Sequence, residues 1–279
     1  MASQAKSPWR VAFLRAAAAV LIALTVSAHA VAPAQAIENL RKYAGIVVDA
    51  KSGNVLYEEA ADSRRYPASV TKVMTLYVLF QELSAGNIKL STKMSVSAHA
   101  AAAVPTKLGL RAGATITVED AVKSIVTLSA KRMTATARAL GMRNTTYRNA
   151  SGLPDGGQLT TVRDQAILGI AVYQHFPNYY EFFQTKSFSY GKSTYGNHNR
   201  LLGYMGAVDG IKTGYINAAG SNLLTAARKD GRHIVVVAFG FNSSAARDQK
   251  VRQLVSSYLT KGRRGDYLRT AMIPMPGRQ

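Results

Sequence analysis

The chain has 279 residues, 47% of them hydrophobic and 18% charged, a balance able to bury the core of one large domain or two small ones. It has no cysteine, which excludes a disulfide framework, a thiol nucleophile and thiolate metal sites. The formal charge is +20, but the basic residues are dispersed and neither zinc-finger spacing nor an aromatic RNA-binding signature is present. The charge therefore points away from specific nucleic-acid recognition and towards a general, peripheral attraction to an anionic envelope.

Residues 1–36 read as an export signal rather than as fold. Lys6, Arg10 and Arg15 make a basic start, and Ala16 to Ala28 is an apolar run too short to span a bilayer. Two small-x-small sites follow, Ala28-His29-Ala30 and Ala34-Gln35-Ala36, and cleavage is expected after Ala36, where Glu38-Asn39 turns the chain polar. The three basic residues leave with the signal, so the exported chain keeps a charge of +17. Its expected place is the periplasm or cell envelope.

Ala44–Asp49 and Val55–Glu59 are β-rich and flank Lys51-Ser52-Gly53-Asn54, which predicts a hairpin. Val70, Met74, Tyr77 and Phe80 recur at helical spacing, so a helix with one buried face is expected over 70–83. Residues 114–120 predict a short strand running into a helix. No glycine or proline lies between Asp120 and Gly141, so the chain can run as one helix over 119–140 unless it breaks near Leu128. Residues 148–157 are loop chemistry, and Thr161 with Asp164 resembles a capping box for a helix to about His175. Residues 221–241 predict two strands joined at Lys229-Asp230-Gly231, and 245–259 a closing helix. Strands, helices, strands and a helix in that order define an α+β fold, an antiparallel sheet covered by helices.

Within that order lie two polar signals. Ser69 and Lys72 stand three apart at a helix start, where i and i+3 share a face and a lysine amine can reach a serine hydroxyl. Serine is a poor nucleophile until a base takes its proton, and burial or a nearby cation lowers a lysine pKa enough to make it that base. The helix N-terminus favours developing negative charge. A capping serine followed by a surface lysine has the same spacing. The second signal is Lys212-Thr213-Gly214 ahead of an apolar strand. A lysine and a threonine hydroxyl can hold a carboxylate, and glycine lets a peptide backbone lie close to a strand edge; a plain strand with a polar end reads the same way. The two signals in this order, behind an export signal, are far more specific than either alone.

With "YPASVTKVMT", "ARALGMRNTTYRNASGLPD", "NHNRLL" and "VDGIKTGY", the chain resembles the serine D-alanyl-D-alanine carboxypeptidases, the low-molecular-mass penicillin-binding proteins, over about residues 37–259. The resemblance implies a β-lactamase/transpeptidase-like α+β fold with about five antiparallel strands and a helical subdomain shortened here. It implies a catalytic domain over 37–262 and a tail over 263–279. Its substrates would be peptidoglycan stem peptides, with β-lactams as covalent inhibitors and no metal or cofactor. Ser69 would attack the carbonyl of the penultimate D-alanine, Lys72 would take the serine proton, and Lys212 and Thr213 would bind the terminal carboxylate. The backbone N–H groups of Ser69 and Tyr215 would form the oxyanion hole beside Gly214. Arg247 is a further carboxylate-binding candidate or a surface charge, and His198 is expected to be structural.

Departures from the family pattern are equally informative. The family's middle motif is Ser-x-Asn, whose serine relays a proton; here Ser129 is present but Lys131 stands where asparagine is expected. About twenty residues that follow this motif in the family are absent. Lys131 is expected to bring a third cation to Lys72 and Lys212 and to slow acylation. Ile216 stands where the family has threonine, and no counterpart of the relatives' C-terminal β-rich domain and amphipathic anchor is expected after Leu259. Two readings follow: an active carboxypeptidase, or a penicillin- or peptide-binding protein of the same fold that acylates poorly or not at all. A β-lactamase would need a deacylating residue that no motif supplies.

Overall fold

The computed structural model describes residues 41–102, 110–124 and 130–277. The predicted export signal and Ser129 lie outside the described residues. The central sheet is antiparallel with strand order β2-β1-β9-β8-β7: β1 is Ala44–Asp49, β2 Val55–Glu59, β7 Lys212–Ile216, β8 Gly220–Lys229 and β9 Arg232–Phe241. β3 (Lys93–Ser95) pairs with β4 (Thr115–Thr117), and β5 (Ser187–Tyr190) with β6 (Ser193–Gly196). The helices are α1 (Thr71–Ser84), α2 (Ala98–Ala102), α3 (Val118–Ser124), α4 (Ala130–Ala139), α5 (Val162–His175), α6 (Pro177–Tyr180) and α7 (Ser244–Tyr258).

β8 and β9 form the long hairpin of the sheet. Lys229 pairs with Arg232, and Asp230 and Gly231 take φ of 51° and 73°, the two positive values that a two-residue turn matched to strand twist requires. Along β9 the side chains alternate: Ile234, Val236 and Ala238 pack with Val251, Leu254 and Val255 of α7, whereas Val235, Val237 and Phe239 pack into the larger core with α1 and α5. Both faces are covered, so the strand reads as a continuous apolar run.

The 70–83 expectation is met with one difference. α1 is buried on nearly every side, including Thr71 and Thr75, rather than along one stripe. It lies between α4, α5 and the sheet, and a helix hydrophobic all round is an interior helix. Phe80 packs edge-on against Phe176 and stacks with Tyr179, with ring centroids 5.8 Å and 5.1 Å away; aromatic pairs of this kind are worth about 0.5–1.5 kcal/mol each beyond their buried area. Thr161 caps α5 by accepting the Asp164 N–H at 3.1 Å. The box is not reciprocal: the Asp164 carboxylate turns instead to the Thr145 hydroxyl at 2.6 Å and the Asn144 N–H at 2.8 Å.

Of the single helix allowed over 119–140, the described parts are α3 and α4, and 125–129 lie outside the described residues. β3 and the β5–β6 hairpin were not anticipated. The tail after Gly262 packs back on the domain. Leu268 N–H donates to the Lys51 carbonyl at 2.7 Å, Ile273 N–H to Gln174 Oε1 at 2.9 Å, and Ala271 is buried beside Gly53.

Candidate active site

Ser69 sits in a single 3-10 turn, Ala68–Val70, that leads directly into α1. Ala68 has a φ of 48°, in the left-handed region that side chains avoid, so this turn holds backbone strain. Its neighbours over-determine it. A Cβ on Gly152 would lie 2.0 Å from the Ala68 carbonyl oxygen, and one on Gly214 would lie 2.9 Å from the Pro67 oxygen and 3.0 Å from the Ser69 nitrogen. Only glycine allows the 152 loop and β7 to approach the serine so closely. Asn222 of β8, fully buried, donates to the Tyr66 carbonyl at 2.9 Å and accepts the Gly240 N–H at 3.0 Å, tying the turn to the middle of the sheet.

Lys72 lies in the first turn of α1. Its Nζ is 3.0 Å from Ser69 Oγ and donates to the Ser151 carbonyl at 2.5 Å. Burial pushes its pKa down to about 8, because the charged form loses solvation. An amine with that pKa, in hydrogen-bond contact with a serine hydroxyl, is equipped to act as a general base near neutral pH.

Across from it, Lys212 opens β7, the edge strand of the sheet. Its Nζ donates to the Thr213 carbonyl at 3.2 Å. Burial lowers its pKa to about 8, and the positive charges of Lys72 and Arg247 lower it in the same direction. Thr213 and Gly214 are buried at the contact with the Ser69 turn, while Tyr215 is 57% exposed with its hydroxyl on Asn217 Oδ1 at 2.9 Å. Entry into β7 is fixed at Gly210, whose carbonyl accepts Asn199 Nδ2 at 2.9 Å and the Thr225 hydroxyl. Asn199 is thus the structural member of the "NHN" stretch. His198 is largely exposed, and its pKa is lowered by the partial loss of solvent around its ring, then by Lys212 and Arg247.

Arg247 is not a surface charge: it is 3% exposed, with Nε and Nη2 on Asp248 Oδ1 at 2.9 Å and 2.6 Å and Nη1 on the Asn222 carbonyl at 3.4 Å. It acts on Lys212 through its field. Lys131 is exposed on α4, and the lowered pKa values of Lys72 and Lys212 have other causes. Lys131→Asn is therefore expected to leave the rate of acylation by a β-lactam within about twofold of the parent; a tenfold gain, about 1.4 kcal/mol, would restore the earlier reading of this position.

The structure thus brings Ser69, Lys72, Lys212, Thr213 and Gly214 together. Beside the serine, Tyr66, Pro67, Ala68, Gly152, Leu153, Asp155, Gln158 and Ile216 line a shallow, open depression. Asn149 and Ser151 lie in a family-like, loop-forming stretch of the sequence that assigns neither a role, and Gln158 and Asn222 carry no local signal.

A five-stranded sheet with a serine–lysine turn facing a Lys-Thr-Gly edge strand defines the class of penicillin-binding proteins and DD-peptidases. Two solved structures share the fold closely. D-alanyl-D-alanine carboxypeptidase DacD from Francisella tularensis has a TM-score of 0.73 at 28% identity, and penicillin binding protein 5 from Haemophilus influenzae 0.74 at 26%; both alignments cover 78% of this chain and 70% of the other. More particularly, the chain belongs to the D-alanyl-D-alanine carboxypeptidase family (peptidase S11), whose model matches residues 29–132 and 130–243. The two matches overlap at residues 130–132. D-alanyl-D-alanine carboxypeptidase DacC of Escherichia coli is 33% identical over 76% of this chain and 60% of its own length. The chain therefore spans about 60% of the length of DacC and of its Bacillus subtilis relative DacF.

Proposed function

We propose that this chain is a serine DD-carboxypeptidase that removes the terminal D-alanine of peptidoglycan stem peptides through an acyl-enzyme on Ser69. The observation that carries the reading is the 3.0 Å contact between Lys72 Nζ and Ser69 Oγ, with the lysine pKa brought down to about 8. Neutral Lys72 takes the Ser69 proton as Oγ attacks the penultimate carbonyl. The backbone N–H groups of Ser69 and Tyr215 stabilise the oxyanion. The ammonium then returns the proton to the departing D-alanine amine, and water, activated by Lys72, hydrolyses the ester. Lys212 and Thr213 hold the terminal carboxylate, and Arg247 adds positive field behind them. Ser129 is assigned the proton relay that its motif position implies. β-Lactams acylate the same serine. Residues 1–36 direct export to the periplasm or cell envelope, where the net positive charge favours contact with anionic polymers, and 37–262 form the catalytic domain.

Lys212→Ala is expected to lower kcat/KM for a peptide ending in D-Ala-D-Ala by about 2–4 kcal/mol of transition-state stabilisation, while leaving the fold intact. An unchanged kcat/KM would remove Lys212 from the site. The pH dependence follows from two opposed requirements. Lys72 must be neutral, so the rate rises as pH passes about 8; Lys212 must be charged, so substrate capture falls as pH passes about 8. The profile of kcat/KM is therefore a bell centred near pH 8, and a flat profile from about pH 6 to 10 would contradict the assignment of both lysines.

A further inference from the structure

Lys72 donates to two acceptors, and the second is a backbone carbonyl from a distant loop. The shape of that loop depends on one carboxamide. Asn149 Oδ1 accepts the Gly152 N–H at 2.8 Å, the Ser151 N–H at 3.2 Å and the Ser151 hydroxyl at 3.2 Å, and Asn149 Nδ2 donates to the Leu153 carbonyl at 3.0 Å. Gln158, almost fully buried, braces the other side. Its Oε1 accepts the N–H groups of Arg148 at 3.0 Å and Asn149 at 2.9 Å, and its Nε2 lies 3.4 Å from Asn149 Oδ1. From α1, Thr75 donates to the Ala150 carbonyl at 2.7 Å, one turn beyond Lys72 and one residue before Ser151. Two successive loop carbonyls are thus held by two side chains on one face of α1.

We infer that Asn149 is a positioning residue for Lys72: its carboxamide folds the 149–152 turn so that the Ser151 carbonyl meets the lysine, supplying a neutral acceptor in a chain whose middle motif lacks the family's asparagine. The inference rests on the roles proposed for Ser69 and Lys72. A carbonyl that accepts from the ammonium favours the charged form, whereas burial disfavours it. Opening the turn removes the first effect and leaves the second, so the lysine pKa falls and the amine loses its aim at Ser69 Oγ. Among the described residues, Lys212 on β7 feels the charges of Lys72 and of Arg247 on α7, and His198, held neutral-leaning by its lowered pKa, feels Lys212 and Arg247. The charged side chains flanking the turn, Arg148 and Asp155, face each other at 3.8 Å.

The test is the second-order rate of acylation by a fluorescent penicillin between about pH 6 and 10, with a thermal midpoint for each variant. Asn149→Ala is expected to move the acid limb about half a pH unit or more downward and to lower the plateau about tenfold. Asn149→Asp keeps the acceptor and adds negative charge, so its limb moves above the parent's and its plateau exceeds that of Asn149→Ala. A folded Asn149→Ala with the parent's limb overturns the inference, whether or not its plateau falls, because a merely structural role would leave the limb in place. If Asn149→Ala does not fold, Asn149→Asp decides: a raised limb supports the inference and an unchanged limb overturns it. A parent chain that forms no adduct rejects the roles of Ser69 and Lys72 and the inference with them, a result distinct from failure in the variants alone.

Discussion

Ser69→Ala is expected to abolish the covalent adduct, one penicillin per chain, that the parent chain acquires. The effect is complete rather than graded, because the adduct is an ester on Oγ and the variant has no Oγ. The substitution removes one oxygen from a turn whose shape is set by other groups: Gly152 and Gly214 in close contact with its backbone, and Asn222 holding the Tyr66 carbonyl. The variant should therefore fold and still bind peptide. An adduct that persists in Ser69→Ala would place the nucleophile elsewhere.

Lys72→Ala is expected to lower the acylation rate at neutral pH by about 10²–10⁴-fold, the usual contribution of a positioned general base. Lys72→Arg separates chemistry from packing. Arginine retains the charge and much of the length but cannot be deprotonated at these pH values, so it should be as slow as alanine. A Lys72→Arg chain acylating at the parent rate would show that the lysine serves only as a cation. The lowered pKa of Lys72 has burial as its cause, which disfavours the charged amine.

The legibility of this fold in its sequence depended on the range of the interactions. Elements set by local rules were readable: the 44–59 hairpin around a Gly53 with φ of 77°, the Asp230-Gly231 turn, the Thr161 cap and the Ser243-capped last helix. The β5–β6 hairpin was locally encoded as well, in alternating Phe188, Tyr190 and Tyr195 around Gly191-Lys192, and was overlooked. The all-round burial of α1 was hidden because Thr71 and Thr75 look like a polar face. In the site, Ser69, Lys72 and Lys212 stood out because their spacing carries chemistry. Asn222 did not, since the carbonyl it holds is 156 residues away, and an asparagine in a strand has no local signature of such a bond. Ser151 had no readable role for another reason: it meets Lys72 with its backbone carbonyl, which any residue type could supply. Lys131 stands in a motif position, and the structure exposes it on α4.

Release of D-alanine from a peptide ending in D-Ala-D-Ala, measured on the exported form of the chain with and without prior penicillin, tests the central claim most directly. The account predicts one D-alanine per peptide, a product one residue shorter, and loss of that release once Ser69 carries penicillin. A stable penicillin adduct on a chain that releases no D-alanine would instead identify a binding protein that does not turn over, and would contradict the proposed carboxypeptidase.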